Sequence, residues 1–254
     1  MLKIVGLFLV LLAIIGLTTF SVVNDFGSGE DGGNVDKAAV RKIVAEYIKN
    51  NPQAILDSVS TYQKEAAAGA NKEAQKNVKN KIGELENDPT SPIAGNPKGD
   101  VVVVEFFDYS CGYCKKALPT IVGLLESDKN VKVVFKEMPI LGPNSLLSSK
   151  AAVAVHLMAP DKYFEFHKKL MSGPRVSGQA SINKIANGLG IDATKLEEKM
   201  KSSDVGSIIA KDKALATSIG IRGTPAFVVG GELVPGAVNI ATLKALVTKA
   251  RAKN

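Results

Sequence analysis

The chain of 254 residues contains no tryptophan, two cysteines and two histidines. Two cysteines cannot build a scaffold of several disulfides, and Cys111 and Cys114 stand too close in sequence to staple distant segments. Their use is chemical or metal-binding. A structural zinc site needs four ligands, and neither His156 nor His167 lies near the pair in sequence, so both histidines read as ordinary helix residues and no metal site is assigned. Linear Cu(I) binding by two thiolates, or zinc shared between chains, stays open. Charge of one sign is in modest excess, 32 Lys and Arg against 25 Asp and Glu, for a net charge of +7. The lysines are spread through amphipathic patterns with no Arg-rich or aromatic-interleaved patch, so nucleic acid is not an expected partner. No internal repeat is found.

One long uncharged run is present, Ile4 to Val23, with Lys3 before it and Asp25 behind. At about 1.5 Å per helical residue it spans roughly 30 Å, enough for a bilayer core. The cation ahead of the run leaves the N-terminus in the cytoplasm and exports the rest. No small-x-small cleavage site follows at Thr18 to Ser21, so residues 1–23 read as an uncleaved anchor, with a cleaved signal segment as the alternative. In both cases the bulk of the protein lies where disulfides form: the periplasm, at the inner membrane or free after cleavage.

Residues 24–34 are glycine-rich and polar and read as a flexible linker. Residues 35–86 read as a helical oligomerisation region. Val40, Ile43, Val44, Tyr47 and Ile48 share one face of a first helix. Asn51-Pro52 then supplies an N-cap and first-turn pair for a second, which carries Ile55, Leu56, Val59 and Tyr62. It continues to about Glu86, with Gly69 as its weak point. Apolar stripes this far from the main domain need a partner, and copies of the chain supply one, giving a homo-oligomer.

Residues 87–254 read as the main domain. Asn87 to Asp100, with three prolines, reads as a loop. Val101 to Phe107 is continuously apolar, as a central strand covered on both faces would be. A helix follows from the first cysteine, then a strand over Val131 to Phe135, completing a β-α-β unit. From about 143 to 220 the pattern is helical. Ala226 to Val229 and Glu232 to Val234 form a hairpin across Gly230-Gly231, and Asn239 to Arg251 closes as a helix.

Cys111-Gly112-Tyr113-Cys114 therefore sits where a buried strand ends and a helix begins. Unpaired N–H groups and the helix dipole at that end stabilise an anion, which favours the thiolate of Cys111. Cys114, one turn further in, is the partner that resolves a mixed disulfide. Gly112 and Tyr113 between them tune the pair.

The stretch from Val104 to Cys114, with Pro119 in the helix after it, resembles thioredoxin-fold proteins, and Gly223-Thr224-Pro225 ahead of Ala226 to Val229 resembles their cis-proline loop. The wide separation of Cys111 from Pro225 resembles the exported Dsb family, in particular DsbA-like proteins of the Com1 and ScsC type with an N-terminal oligomerisation region. The resemblance implies an α/β thioredoxin fold with an inserted helical domain. It implies Thr224 and a cis Pro225 as substrate contacts beside Gly112 and Tyr113, and Glu105 as a buried acid that takes the Cys114 proton. It implies no cofactor, unfolded or misoxidised exported proteins as substrates, and a membrane partner of DsbD or DsbB type that recharges the pair. The expected activity is isomerisation or exchange of disulfides. Pure dithiol oxidation and copper protection are the alternatives.

Overall fold

The computed structural model describes residues 36–253. The run 4–23 and the linker 24–34 lie outside the described residues. Among those described, no helix is long and apolar enough to cross a membrane. The chain divides into two compact units, 1–65 and 66–254.

In the first unit, α1 (Lys37–Asn50) begins at Asp36, whose carboxylate accepts from the Ala38 N–H. Asn51 precedes the second helix as expected, and its carbonyl accepts from the Ala54 N–H at 3.1 Å. Its side chain does not cap that helix: its amide and its own N–H both donate back to the Tyr47 carbonyl, closing the end of α1. Pro52 then opens α2 (Pro52–Asn80), since its ring presets φ and its missing N–H is unneeded in a first turn. No residue of α1 is buried, and Ile43, Val44, Tyr47, Leu56, Val59 and Tyr62 are all exposed.

α2 ends in the second unit. Gly69 lies inside it without breaking it, in open space where a side chain would meet nothing. The break falls at Lys81, after which α3 (Ile82–Glu86) follows. Val78 and Leu85 are fully buried beside Val104, Phe106 and Val228, so the stretch after Glu65 packs with the sheet.

The sheet has five strands: β1 (Ile93–Gly95), β2 (Val101–Phe107), β3 (Val131–Glu137), β4 (Ala226–Val229) and β5 (Glu232–Pro235), in the order β1-β3-β2-β4-β5. β2 and β3 are parallel and the other pairs antiparallel. β1 falls in the stretch expected to be only loop. With three residues and a single buried one, Ala94, it is too short for a period-2 signal and forms by pairing with β3.

β2 is the central strand, and its alternation divides the core. Val101, Val103 and Phe107 face one cluster, which includes α4 (Gly112–Ser127) and α10 (Ile240–Arg251). Val104 and Phe106 face the other. Between β3 and β4 the chain forms α5 (Pro143–Met158), a 3-10 turn (Pro160–Lys162), α6 (Tyr163–Ser172), α7 (Gln179–Gly188), α8 (Ala193–Met200) and α9 (Ser203–Ser218). The β4–β5 hairpin turns at Gly230 and Gly231, whose φ values of +53° and +76° only glycine adopts freely.

Candidate active site

Cys111 is the N-cap of α4, and its N–H donates to the Asp108 carbonyl at 3.0 Å. Cys111 therefore stands at the end of α4 where first-turn N–H groups lack helical partners, although its sulfur accepts no hydrogen bond from them. The Thr224–Pro225 peptide is cis, as the resemblance implied. Its loop lies against the pair, with the Cys111 thiol donating to the Thr224 carbonyl at 3.3 Å. Both cysteines are free thiols. Cys111 retains 6% exposure and Cys114 1%. Burial pushes the Cys114 thiol well above the ordinary thiol value, so it gives up its proton only to a suitable acceptor. Tyr113 stands out from the surface at 66% exposure, with the Lys116 ammonium 5.6 Å from its ring centre. Gly112 lies in open space.

Glu105 is buried in the middle of β2, with Phe135 and Phe227 as its cross-strand neighbours. By alternation it faces the same side as Val103 and Phe107, the side on which Cys114 and α4 pack. Burial raises its carboxyl to about 8. A buried acid in that range is neutral at pH 7 and accepts a proton readily once ionised.

The surrounding loop is held by groups that sequence reading passed over. The buried Asp108 carboxylate accepts from the N–H groups of Ser110 at 2.7 Å, Ile140 at 2.8 Å and Leu141 at 3.0 Å, which ties the active-site turn to the segment after β3. Lys115 reaches away from the cysteines, and its ammonium donates to the carbonyls of Leu170, Met171 and Gly173 at the end of α6. Burial, and then the charge of Arg175, lowers its pKa. His167, read as an ordinary helix residue, is fully buried among Phe107, Phe135 and Tyr163, and its Nδ1 is 3.0 Å from the Tyr109 hydroxyl. Burial pushes it down to about 3, so it stays neutral. One signal was present in the sequence: Asp108 and Tyr109 directly follow a strand that ends in the core. The carbonyl partners of Lys115 left none.

A helix-capping cysteine, a buried second cysteine one turn on and a cis-proline loop on the same sheet define a thioredoxin-fold dithiol site. The chain belongs to the DSBA-like thioredoxin domain family, whose pattern matches residues 102–248. Residues 36–68 match the N-terminal domain of the copper resistance protein ScsC. The crystal structure of a thioredoxin-like oxidoreductase from Silicibacter pomeroyi is 42% identical, with a TM-score of 0.64 over 67% of this chain and 97% of that one. The catalytic domain of Proteus mirabilis ScsC is 29% identical, with a TM-score of 0.64 over 70% and 98%. Among curated proteins, the Na(+)/H(+) antiporter NhaA 3 of Salinispora tropica is 28% identical over 62% of this chain, and the chain spans about a quarter (24%) of that relative's length.

Proposed function

We propose that this chain is an exported thiol–disulfide oxidoreductase that exchanges or isomerises disulfides in other exported proteins. The observation that carries the reading is the Cys111 sulfur, held at a helix N-terminus 3.3 Å from the Thr224 carbonyl of a cis-proline loop. The Cys111 thiolate attacks a substrate disulfide, forming a mixed disulfide and releasing one substrate thiolate. If a second substrate thiol then attacks the mixed disulfide, the substrate leaves rearranged and Cys111 returns to the thiolate. If Cys114 attacks, after passing its proton to ionised Glu105, the substrate leaves reduced and Cys111–Cys114 is oxidised. A membrane partner of DsbD type would return electrons to that pair, whereas one of DsbB type would remove them from a reduced pair. The apolar stripe of α1 and the start of α2 joins copies of the chain, in line with the ScsC-type match over 36–68. The same match favours a second reading, protection against copper through the two thiolates.

The test is reactivation of scrambled, fully oxidised ribonuclease by the full chain in a glutathione buffer, with Cys111→Ser as the control. Recovery that needs Cys111, together with accumulation of mixed disulfides in Cys114→Ser, supports the proposal. Rapid oxidation of reduced ribonuclease without isomerisation would assign a pure oxidase. Stoichiometric Cu(I) uptake with no turnover would assign the copper role.

A further inference from the structure

A groove beside the cysteine pair opens directly from the cis-proline loop. It has a volume of about 590 Å³, and one wall is the stretch of α2 from Ala70 to Asn77. Opposite lie the end of α9 at Thr217 and Ser218, the loop from Gly220 to Pro225, and β5 with Gly236. All of these residues belong to the unit 66–254.

The wall is built to leave space. Ala70 and Ala74 are four residues apart and share a face of α2. Gly220, at φ +80°, brings the opposite turn so close that an added Cβ would stand 3.4 Å from the Ala74 Cβ. Larger side chains at these positions would fill the groove. Ile221, Pro225, Leu233 and Pro235 give it an apolar floor, and Asn71 and Asn77 put amides on its rim. Arg222 and Glu73 are its charged residues, one of each sign, so the groove has no net charge to select an anion or a cation.

The sheet edge nearby is closed in a way that leaves the groove as the path for a bound chain. β5 is the edge strand. The Gly236 N–H donates to the Pro225 carbonyl, so along this register the N–H and carbonyl of Leu233 point away from β4. Gln75 takes both: its amide nitrogen donates to the Leu233 carbonyl at 3.2 Å, and its amide oxygen accepts from the Leu233 N–H at 3.3 Å. Pro235 has no N–H to offer. A peptide is therefore not drawn onto β5 as an added strand.

We infer that this groove holds the segment of unfolded polypeptide flanking the cysteine bonded to Cys111, so that α2 of the N-terminal extension forms one wall of the substrate site. The inference rests on the proposed exchange chemistry and names its substrate class, extended chains of mixed polarity. Continuity carries it. Thr224 and Pro225 line the groove, and the Thr224 carbonyl touches the Cys111 sulfur, so a chain covalently held at that sulfur has the groove beside it. The volume also lies within the range of about 300 to 1,000 Å³ typical of ligand sites.

Two experiments on the full chain test it. In the first, a benzoylphenylalanine photocrosslinker replaces Ala70 in a Cys114→Ser background, the mixed disulfide with scrambled ribonuclease is trapped, and the sample is irradiated. The expected result is a cross-link from position 70 to ribonuclease that survives reduction. A mixed disulfide without that cross-link, or a cross-link only to another copy of the chain, overturns the groove while leaving the exchange chemistry standing. If no mixed disulfide forms, the proposed chemistry fails and the groove assignment fails with it. In the second, Ala74→Trp is expected to lower kcat/KM for scrambled ribonuclease about tenfold relative to kcat/KM for glutathione disulfide, which is the loss of about 1.4 kcal/mol of binding. Lys72→Trp, on the exposed side of α2, should leave that ratio unchanged, and an unchanged ratio in Ala74→Trp would overturn the inference.

Discussion

Replacing Glu105 by Gln tests the buried acid by thermodynamics and kinetics together. Glu105 titrates at about 8 in the fold against an ordinary value of 4.5, because burial disfavours its charged form. Between those values the unfolded chain has lost the proton and the folded chain keeps it. The folded state therefore binds more protons, and stability falls as pH rises. The full contribution is present below pH 4.5, shrinks by about 1.4 kcal/mol per pH unit through the window, and stops changing above pH 8. From pH 5 to 7 this amounts to roughly 2.5 kcal/mol. Gln keeps the shape and carries no proton equilibrium, so Glu105→Gln should gain that amount on the wild type across the interval.

The assay is urea unfolding by far-ultraviolet circular dichroism at pH 5, 6, 7 and 9, with both proteins reduced and at one protomer concentration, because oligomerisation shifts apparent stability by mass action. Other buried acids, Glu137 and Asp212 among them, titrate alike in both proteins and cancel in the difference. A difference constant to within about 0.5 kcal/mol from pH 5 to 9 would show that Glu105 is charged in the fold, and the reasoning would fail. The kinetic half uses the same variant. The Cys114 thiol is raised by its burial, so without an acceptor its attack on the mixed disulfide should slow by about 10²-fold. Release at the wild-type rate would remove Glu105 from the proton path.

Two further outcomes are expected. The Lys136 ammonium is buried between Asp88 at 2.9 Å and Asp212 at 3.1 Å, and Lys136→Met leaves both carboxylates without it, costing about 3–5 kcal/mol in urea unfolding at pH 8. Asp212 is raised to about 6 by burial, against the pull of Lys136, so the loss should shrink at pH 5 as Asp212 takes up a proton, while Asp88 keeps Lys211 at 3.0 Å; an equal loss at both pH values would refute this. Ile43→Glu with Leu56→Glu places charge on the exposed stripe, and light scattering should then give the monomer mass while Cys111 still exchanges with glutathione disulfide. A mass unchanged from that of the wild type would exclude the stripe as the interface.

Local chemistry made part of this molecule legible and hid the rest. Val101 to Phe107 could be read as a central strand because burial on both faces leaves an unbroken apolar run. The cysteine pair could be placed because it follows that run directly, and Gly230-Gly231 marked its hairpin because both residues need positive φ. What escaped depends on partners far along the chain. β1 exists because β3 accepts it, and Gln75 closes β5 from 158 residues away. Lys115, next to Cys114 in sequence, holds carbonyls more than 50 residues on, which nothing in its local sequence signals. Asn51 sits where it was expected, before Pro52, but its side chain serves the other helix. One side chain between two helices can serve either end, and only coordinates show which it takes.

The same helix gives its two cysteines opposite surroundings, and that contrast orders the proposed reaction. Cys111 lies at the N-cap, outside the first turn, keeps some exposure and has the proposed substrate groove opening beside it. Cys114 lies one turn in, behind Leu118 and Ile121 in the core, where charge is disfavoured. An incoming disulfide therefore meets Cys111 first, and Cys114 acts only once a mixed disulfide is already formed. The interval between those two attacks is the time a misoxidised substrate has to rearrange. Its length is set by how readily Cys114 gives up its proton, and so by the acid on β2. A pair with a quick acceptor returns substrates reduced, whereas one with a slow acceptor lets them isomerise. On this argument Glu105→Gln should not only slow release but also raise the share of ribonuclease that leaves rearranged.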